Sequence, residues 1–564
     1  MAALIQSYVH GASATPLLGE TIGALIRRVT AAGADRPALV TRHQNVHWTY
    51  GDLLRRSEDL AVGLWALGLE KGDRIGIWAA NCSEWVLAQF GTALAGLILV
   101  NINPAYRAHE FDYAIRKSGC RALILSPGHK NNDYFASLRS SAPEIDAAEP
   151  GRLKSKTLPE LEFVIRLGAE ETLGMLNFDA VAQPAGAGER EALAAFGAAL
   201  QFDDPINIQF TSGTTGAPKG ATLTHHNIVN NGYFIGEAMR LTRDDRLCIP
   251  VPYYHCFGMV LGNLACVTHG ACMVSPAEGF DPSATLAAVE AEGCTGLHGV
   301  PTMFIAMLDH PEFARFDLKT LRTGIMAGSP CPVEVMRRVV ERMHMREVTI
   351  AYGMTETSPV SFQSAYDDPL ERRVSTVGRI QPHIEVKIVD AAGRIVPPGV
   401  PGELLTRGYS VMRGYWDDPA ATKAAIDEAR FMHTGDLATL DADGYCNIVG
   451  RLKDMIIRGG ENIYPREIEE FLYTHPAVAD VQAFGVPDLK YGEELCVWIR
   501  RREGMSLNEN EVVAFCRARI AHYKAPRYVR FVDSFPMTVT GKAQKFLMRK
   551  AMMEELALEE EKTA

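Results

Sequence analysis

The sequence predicts an α/β protein: helix-covered parallel sheets in a large N-terminal domain, a small antiparallel barrel-like unit, and a smaller α+β C-terminal domain. Three observations lead there. Short β-rich runs alternate with amphipathic stretches up to about Thr376, the rhythm of parallel strands covered by helices. The spacing then tightens to close-set strands and turns, as in an antiparallel sheet or barrel over about 376–450. A second break near Arg451–Arg458 opens about a hundred further residues, enough for a separate lobe. The expected domains are therefore 1–452 and 453–564.

The elements follow in order. Gly72-Asp73-Arg74-Ile75-Gly76-Ile77 reads as a turn entering a strand, Glu84 to Ala95 as a helix, and Ala122-Leu123-Ile124-Leu125 as a strand. In the barrel-like unit, strands at Ile384–Val389 and Glu403–Thr406 flank the turn Asp390-Ala391-Ala392-Gly393. In the last lobe, Pro465 to Leu472 reads as a helix with proline in its first turn, followed by strands at Asp480–Val486 and Glu494–Arg500. Ala551 to Ala564 reads as a Glu-rich helical tail.

Composition narrows the function classes. Of 564 residues, 47% are hydrophobic and 22% charged, the balance of a globular chain. Net charge is −11 without a long Lys/Arg run, which argues against a nucleic-acid surface. The eleven cysteines show no C-x-x-C spacing, so neither a zinc cage nor a disulfide scaffold is expected, and a reducing, cytoplasmic setting fits. MAALIQSYVHGAS lacks the basic and apolar succession of a secretory signal. The most lipophilic stretch, Trp85 to Val100, contains Gln89 and is broken by Gly91 and Gly96, so it reads as a buried helix leading into a strand and no membrane span is expected.

The sharpest motif follows the apolar run Ile206–Phe210. It is the string Thr211-Ser212-Gly213-Thr214-Thr215-Gly216-Ala217-Pro218-Lys219-Gly220. Its three glycines allow tight turns that present backbone N–H groups to an anion, while four hydroxyls and Lys219 add donors and charge. The spacing is not that of a Walker A loop. Other motifs stand downstream: Ala327-Gly328-Ser329-Pro330, Tyr352-Gly353-Met354-Thr355-Glu356-Thr357, Thr434-Gly435-Asp436-Leu437, and Gly450-Arg451-Leu452-Lys453-Asp454. Gly459-Gly460-Glu461-Asn462-Ile463-Tyr464-Pro465 and Pro536-Met537-Thr538-Val539-Thr540-Gly541-Lys542 complete the series. A carboxylate such as Glu356 beside a phosphate cradle is repelled unless a cation lies between them.

The loop and the ordered motifs after it resemble the signatures of the adenylate-forming superfamily, which includes acyl-CoA synthetases, luciferases and peptide-synthetase adenylation domains. The resemblance runs from roughly Ala38 to Arg549, with Trp48-Thr49-Tyr50-Gly51-Asp52-Leu53 and Asn103-Pro104-Ala105-Tyr106 recurring as structural elements. It implies an N-terminal domain of two helix-covered sheets plus the barrel-like unit, and a mobile C-terminal domain. It implies phosphate contacts from Thr211, Ser212, Gly213, Thr214, Thr215, Gly216, Lys219 and Thr355, and adenine contacts from Gly328, Ser329, Pro330, Tyr352, Gly353 and Met354. Mg²⁺ falls to Glu356, ribose to Asp436 and Arg451, the hinge to Lys453, the pantetheine channel to Gly459 and Gly460, and the catalytic lysine to Lys542. His255, in Val251-Pro252-Tyr253-Tyr254-His255-Cys256-Phe257-Gly258, matches a family position beside the acyl and pantetheine channels; taken alone, it also reads as an aromatic-flanked core histidine.

By this resemblance the chain is an acid–CoA ligase of the acyl-CoA synthetase branch, using ATP, Mg²⁺ and coenzyme A. Its expected partners are a small carboxylic acid, ATP and CoA, with a second copy of the chain as a candidate. The acid pocket falls around Tyr233–Ile235, His298–Thr302 and Met326–Gly328, where Gly299, Gly324 and Gly328 leave room and Met303 and Met326 are adaptable. These segments hold no Lys or Arg for a second carboxylate, which favours a medium-chain fatty or other hydrophobic acid. The alternative is an adenylation enzyme that passes an aryl or amino acid to a carrier protein. Competing signatures are missing: Tyr113 stands where H-E-x-x-H needs histidine, and neither G-x-S-x-G nor G-x-G-x-x-G occurs.

Overall fold

The computed structural model describes residues 4–211, 218–329, 331–458, 461–538 and 542–558. Two large sheets form the N-terminal part. The first has eight strands, five of them from Arg74–Trp78 to Leu176–Asn177 lying parallel and continuing in parallel into Pro205–Thr211. The second has nine strands, with Thr323–Ala327 and Glu347–Gly353 parallel beside Val360–Gln363, which runs antiparallel.

Period-two alternation explains why both faces of the first sheet are covered. Ile75, Ile77, Leu99 and Ile124 point into the core shared with Leu39, Val40 and Leu247 of the second sheet. Val100, Leu123, Leu125 and Ile208 point the other way, against Phe111 and Leu138 of helices Ala108–Ser118 and Tyr134–Ser141. On that face Trp78 stacks on Phe111 and Tyr134, with ring centroids 4.4 and 4.0 Å away. The lipophilic stretch divides as expected into helix Ser83–Leu94 and strand Ile98–Asn101. That helix is buried on every side except at Glu84, as a helix enclosed in a core must be apolar all round.

The antiparallel unit is a five-stranded sheet in the order Tyr8–His10, Ile384–Val389, Gly402–Gly408, Met432–Leu440, Cys446–Arg451. Its first strand comes from the N-terminus, pairing Tyr8 to His10 with Lys387 to Glu385. Three residues are too few to show a period, so only this pairing reveals the strand.

The C-terminal sheet orders Glu461–Ile463, Ile456–Arg458, Gly492–Arg501 and Val478–Asp488, with Tyr528–Phe531 parallel to Gly492–Arg501. One face packs Val481, Val497 and Ile499 against Ile468, Leu472 and Val512. The other packs Phe484 and Trp498 under Met548 and Met552 of helix Lys545–Glu555. That helix begins before the expected tail, and residues 559–564 lie outside the described residues. Helix Pro465–Tyr473 lies against strand Cys446–Arg451, and Arg466 Nη1 donates to the Ile448 carbonyl at 2.7 Å. Among the described residues, no helix is long and apolar enough to cross a membrane.

Candidate active site

Two paired strands flank the Gly/Ser/Thr-rich string. Strands Pro205–Thr211 and Lys219–Thr224 pair antiparallel, with Thr211 opposite Lys219. Ser212, Gly213, Thr214, Thr215 and Gly216 lie outside the described residues. The hairpin fixes both ends of the string, so Thr211 and Lys219 stand side by side at its base.

Glu356 faces this hairpin from a neighbouring turn. Strand Glu347–Gly353 ends at Gly353, where a Cβ would lie 1.7 Å from the Pro359 carbonyl oxygen. The chain therefore doubles back closely, and the Met354 N–H and Thr357 hydroxyl both donate to that oxygen, at 3.0 and 2.7 Å. The turn delivers Thr355, Glu356 and Thr357 as one short 3₁₀ stretch. Oε1 of the buried Glu356 accepts the Thr211 hydroxyl at 3.2 Å and the Tyr415 phenol at 3.0 Å. Lys219 Nζ lies 5.2 Å from the centre of the Tyr415 ring.

A second cluster forms where the two β systems meet. Asp436 and Arg451 are register partners across neighbouring strands, with Arg451 Nε 3.1 Å from Oδ1. The Tyr352 phenol donates to Oδ2 at 2.5 Å. Burial raises the Asp436 pKa, and the Arg451 charge opposes that rise. Burial and the adjoining Asp436 carboxylate together hold the Tyr352 phenol well above its ordinary value. Gly328, just past strand Thr323–Ala327, has φ +92°, and a Cβ there would come 3.0 Å from Val300 Cγ1. Ser329 follows it, and Pro330 lies outside the described residues.

His255 accepts the Phe257 N–H at Nδ1, 3.1 Å away, which leaves the proton of the neutral ring on Nε2. Burial pushes its pKa down to about 3, with the Lys542 charge adding to the fall. Its neighbour Cys256 donates to Gln209 Oε1 at 3.1 Å and to the Thr355 hydroxyl at 3.5 Å.

Lys542 enters from the C-terminal lobe. Its N–H donates to the Thr538 hydroxyl at 3.0 Å, and the Thr538 N–H returns a bond to its carbonyl at 2.7 Å, closing the turn. Its charge acts electrostatically on His255, Cys256 and Asp436. The residue keeps solvent access on its turn, but protein crowds round the ammonium. That crowding lowers its pKa first and Arg451 lowers it further, against Cys256, Asp436 and Glu356. Lys453 lies in the 3₁₀ stretch Leu452–Asp454, its pKa also lowered chiefly by burial. Gly459 and Gly460 lie outside the described residues.

The expected acid pocket is altered in detail. A Cβ on Gly324 would fall 1.9 Å from the Leu297 carbonyl oxygen, and one on Gly299 would fall 2.9 Å from the Phe304 ring. These two glycines make space for neighbouring strands and rings, whereas at Gly328 only Val300 approaches. Tyr233 stacks on His269 at 5.3 Å, and Phe234 packs against Tyr409 and His383, so packing already engages both rings. His298 accepts the Ile325 N–H and hydrogen-bonds the Leu261 carbonyl, which fixes it as a strut. Tyr415 and Cys256 are not singled out by the sequence because only tertiary packing joins them to Glu356 and Thr355.

Among the described residues no cluster of three His, Cys, Asp or Glu side chains could hold a metal ion. Glu356 alone suits Mg²⁺, which is commonly held through one or two carboxylates plus substrate phosphates and water. Among the described residues no donor reaches its Oε2.

A strand pair that sets Thr211 beside Lys219, an adjacent buried carboxylate, an Asp–Arg–Tyr cluster and a lysine on a second lobe outline the site of a two-lobed enzyme. The AMP-binding enzyme family matches residues 26–416, and the AMP-binding enzyme C-terminal domain matches residues 467–542. YngI of Bacillus subtilis, whose name proposes an acyl-CoA synthetase, is 51% identical over 95% of this chain and 98% of its own. The mitochondrial medium-chain acyl-CoA ligase ACSF2 of Danio rerio is 46% identical over 98% of this chain and 92% of its own. The crystal structure of the anthranilate CoA ligase AuaEII with anthranoyl-AMP superposes with a TM-score of 0.83 at 25% identity, covering 96% of this chain and 99% of that one. The chain belongs to the AMP-binding enzyme family, in its acyl-CoA synthetase branch.

Proposed function

We propose that the chain is an ATP-dependent acid–CoA ligase that forms acyl-AMP and pyrophosphate, then acyl-CoA and AMP, on medium-chain fatty or similar hydrophobic acids. The observation that carries the reading is the Glu356 carboxylate held by Thr211 and Tyr415 at the base of the hairpin, together with Asp436 held by Arg451 and Tyr352. The names of the relatives support the acid class, and the apolar Met303 and Met326 agree with it.

The chemical obstacle is that a carboxylate is a weak electrophile and is repelled by a polyphosphate. Hairpin N–H groups and Lys219 receive the phosphates, and Thr355 adds a hydroxyl. Glu356 would hold Mg²⁺, which would supply neutralising charge beside the phosphates. Asp436 has one lone pair left on each oxygen after Tyr352 and Arg451, enough to accept two ribose hydroxyls. A carboxylate oxygen then bonds to the α-phosphorus as the bond to pyrophosphate breaks, with Lys542 between the two anions. In the second step the CoA thiol loses its proton to solvent, the thiolate sulfur bonds to the acyl carbon, and the acyl–oxygen bond to AMP breaks, so that AMP departs. His255, neutral and with its proton on Nε2, serves as a donor rather than as the base that takes the thiol proton. Lys453 is the pivot about which the small lobe exchanges these two steps. The eleven unpaired cysteines, ten of them buried, support a reducing compartment such as the cytoplasm.

Acid-dependent ATP–pyrophosphate exchange with acetate, octanoate, palmitate, benzoate and phenylacetate tests the reading, together with CoA-dependent release of AMP. Octanoate should give the highest kcat/KM and free CoA should be required for turnover. Exchange with none of the acids would refute adenylation. Exchange without transfer to free CoA would favour the carrier-protein alternative, and a preference for benzoate would move the substrate to aryl acids, as in the anthranilate ligase.

A further inference from the structure

The residues that receive phosphate and metal in this reading come from separate elements, Lys219 from the hairpin and Glu356 from the turn after Gly353. A third segment, Met412 to Trp416, touches both in alternation. The Met412 N–H donates to the Glu356 carbonyl at 2.8 Å, and the Arg413 N–H to the Thr222 carbonyl at 2.9 Å. Tyr415 is the register partner of Ala221, and the Trp416 N–H donates to the Gly220 carbonyl at 2.7 Å. Gly414, at φ +153°, lets the segment pass Thr422, whose Cγ2 would meet a Cβ at 2.9 Å. The segment is thus a clasp across the two halves of the site. At its centre, Tyr415 gives its hydroxyl to Glu356 Oε1 and its ring face to the Lys219 ammonium.

We infer that Tyr415 is a positioning residue that sets the Glu356 carboxylate and the Lys219 ammonium at a fixed separation, so that metal and phosphate are bound together rather than independently. The inference rests on the proposed adenylation reaction. The phenol occupies Oε1 of Glu356 beside the Thr211 hydroxyl and so directs the other oxygen, Oε2, to the metal. The ring holds the flexible lysine stem near the hairpin base, where an unanchored ammonium would sample many rotamers.

The two functions separate by substitution. Tyr415→Phe removes the hydroxyl and keeps the ring, whereas Tyr415→Leu removes both. Tyr8→Phe, on the edge strand opposite the one that carries Arg451, is the control: it deletes another phenol–carboxylate bond, to Glu385 at 2.8 Å. Mn²⁺ binding in the presence of a non-hydrolysable ATP analogue, read by the electron paramagnetic resonance of free Mn²⁺, needs no turnover. Tyr415→Phe should weaken it by about tenfold to a hundredfold, the range for losing a hydrogen bond to a charged group, and should raise the Mg²⁺ half-saturation of pyrophosphate exchange in parallel. Metal-free analogue binding should be unchanged in Tyr415→Phe and weakened by a few-fold in Tyr415→Leu, about the strength of a cation–π contact. Thermal unfolding of each variant verifies that the ligand effects do not follow loss of fold. Wild-type Mn²⁺ affinity and Mg²⁺ half-saturation in Tyr415→Phe would overturn the inference while the adenylation reading stood. A wild-type protein without exchange on any acid would remove the adenylation reading, and the Mn²⁺ titration would still decide whether Tyr415 orients Glu356. Equal metal-free affinity in the Phe and Leu variants would overturn the Lys219 limb.

Discussion

Three histidines are held neutral by burial, each with its Nδ1 or ring engaged by the backbone. His225 accepts the Ile22 N–H, His255 the Phe257 N–H and His298 the Ile325 N–H. Burial pushes His225 and His255 down to about 3 and His298 to about 4, from the ordinary 6.5. Below pH 6.5 the unfolded chain takes up these protons and the native one does not. The stability that these neutral rings contribute is therefore complete above that pH and is lost as pH falls towards 4, at about 1.4 kcal/mol per pH unit for each histidine. The urea-unfolding free energy should drop steeply between pH 6.5 and 4.5, and His298→Gln should flatten the slope. An identical slope in that variant would show that the loss arises elsewhere. Sequence alone leaves His255 with two readings, a place beside the acyl and pantetheine channels or an aromatic-flanked core histidine, because its burial depends on residues packed round it from elsewhere in the chain.

At the scale of elements, the site is built from hairpins and doubled-back turns rather than from a strand feeding a helix N-terminus. The composition of the Thr211-to-Gly220 string is what suggests phosphate binding, but its return as the antiparallel strand Lys219–Thr224 depends on pairing with Pro205–Thr211. Gly353 shows the same division. A methyl at this position would collide with the Pro359 carbonyl oxygen, 1.7 Å away. Gly353→Ala should cost about 1–3 kcal/mol, the usual range for forced overpacking, lowering the thermal midpoint measured by calorimetry. It should also weaken ATP binding by isothermal titration, because Thr355 and Glu356 move with the turn. Wild-type values in both measurements would show that the turn yields without consequence.

Across the whole molecule, Arg466 of the C-terminal lobe bonds to the Ile448 carbonyl on strand Cys446–Arg451, and the charge of Lys542 on the same lobe acts on Asp436. In the proposed cycle this arrangement serves the first step alone. Lys542→Ala should therefore abolish pyrophosphate exchange yet leave thioester formation from supplied acyl-AMP largely intact, as single-turnover quenched-flow would show. Equal loss of both half-reactions would contradict a lobe that presents different residues in the two steps.

The sequence by itself determined the fold class and the alternation of strands and helices, and it supplied the candidate residues of the site. Hydrophobic period, glycine-rich turns and ordered motifs are local, and local signals survive in one dimension. The strands at Ile384–Val389 and Asp480–Val486 were legible for that reason, whereas strand Tyr8–His10 was not, since its whole identity is its pairing with a strand far along the chain. Only the tertiary structure joined Tyr352 to Asp436, Thr211 and Tyr415 to Glu356, and Gly324 to the Leu297 carbonyl instead of to an open pocket. Each of those decisions depends on cross-strand register and close packing, where a shift of one residue reverses which face a side chain occupies.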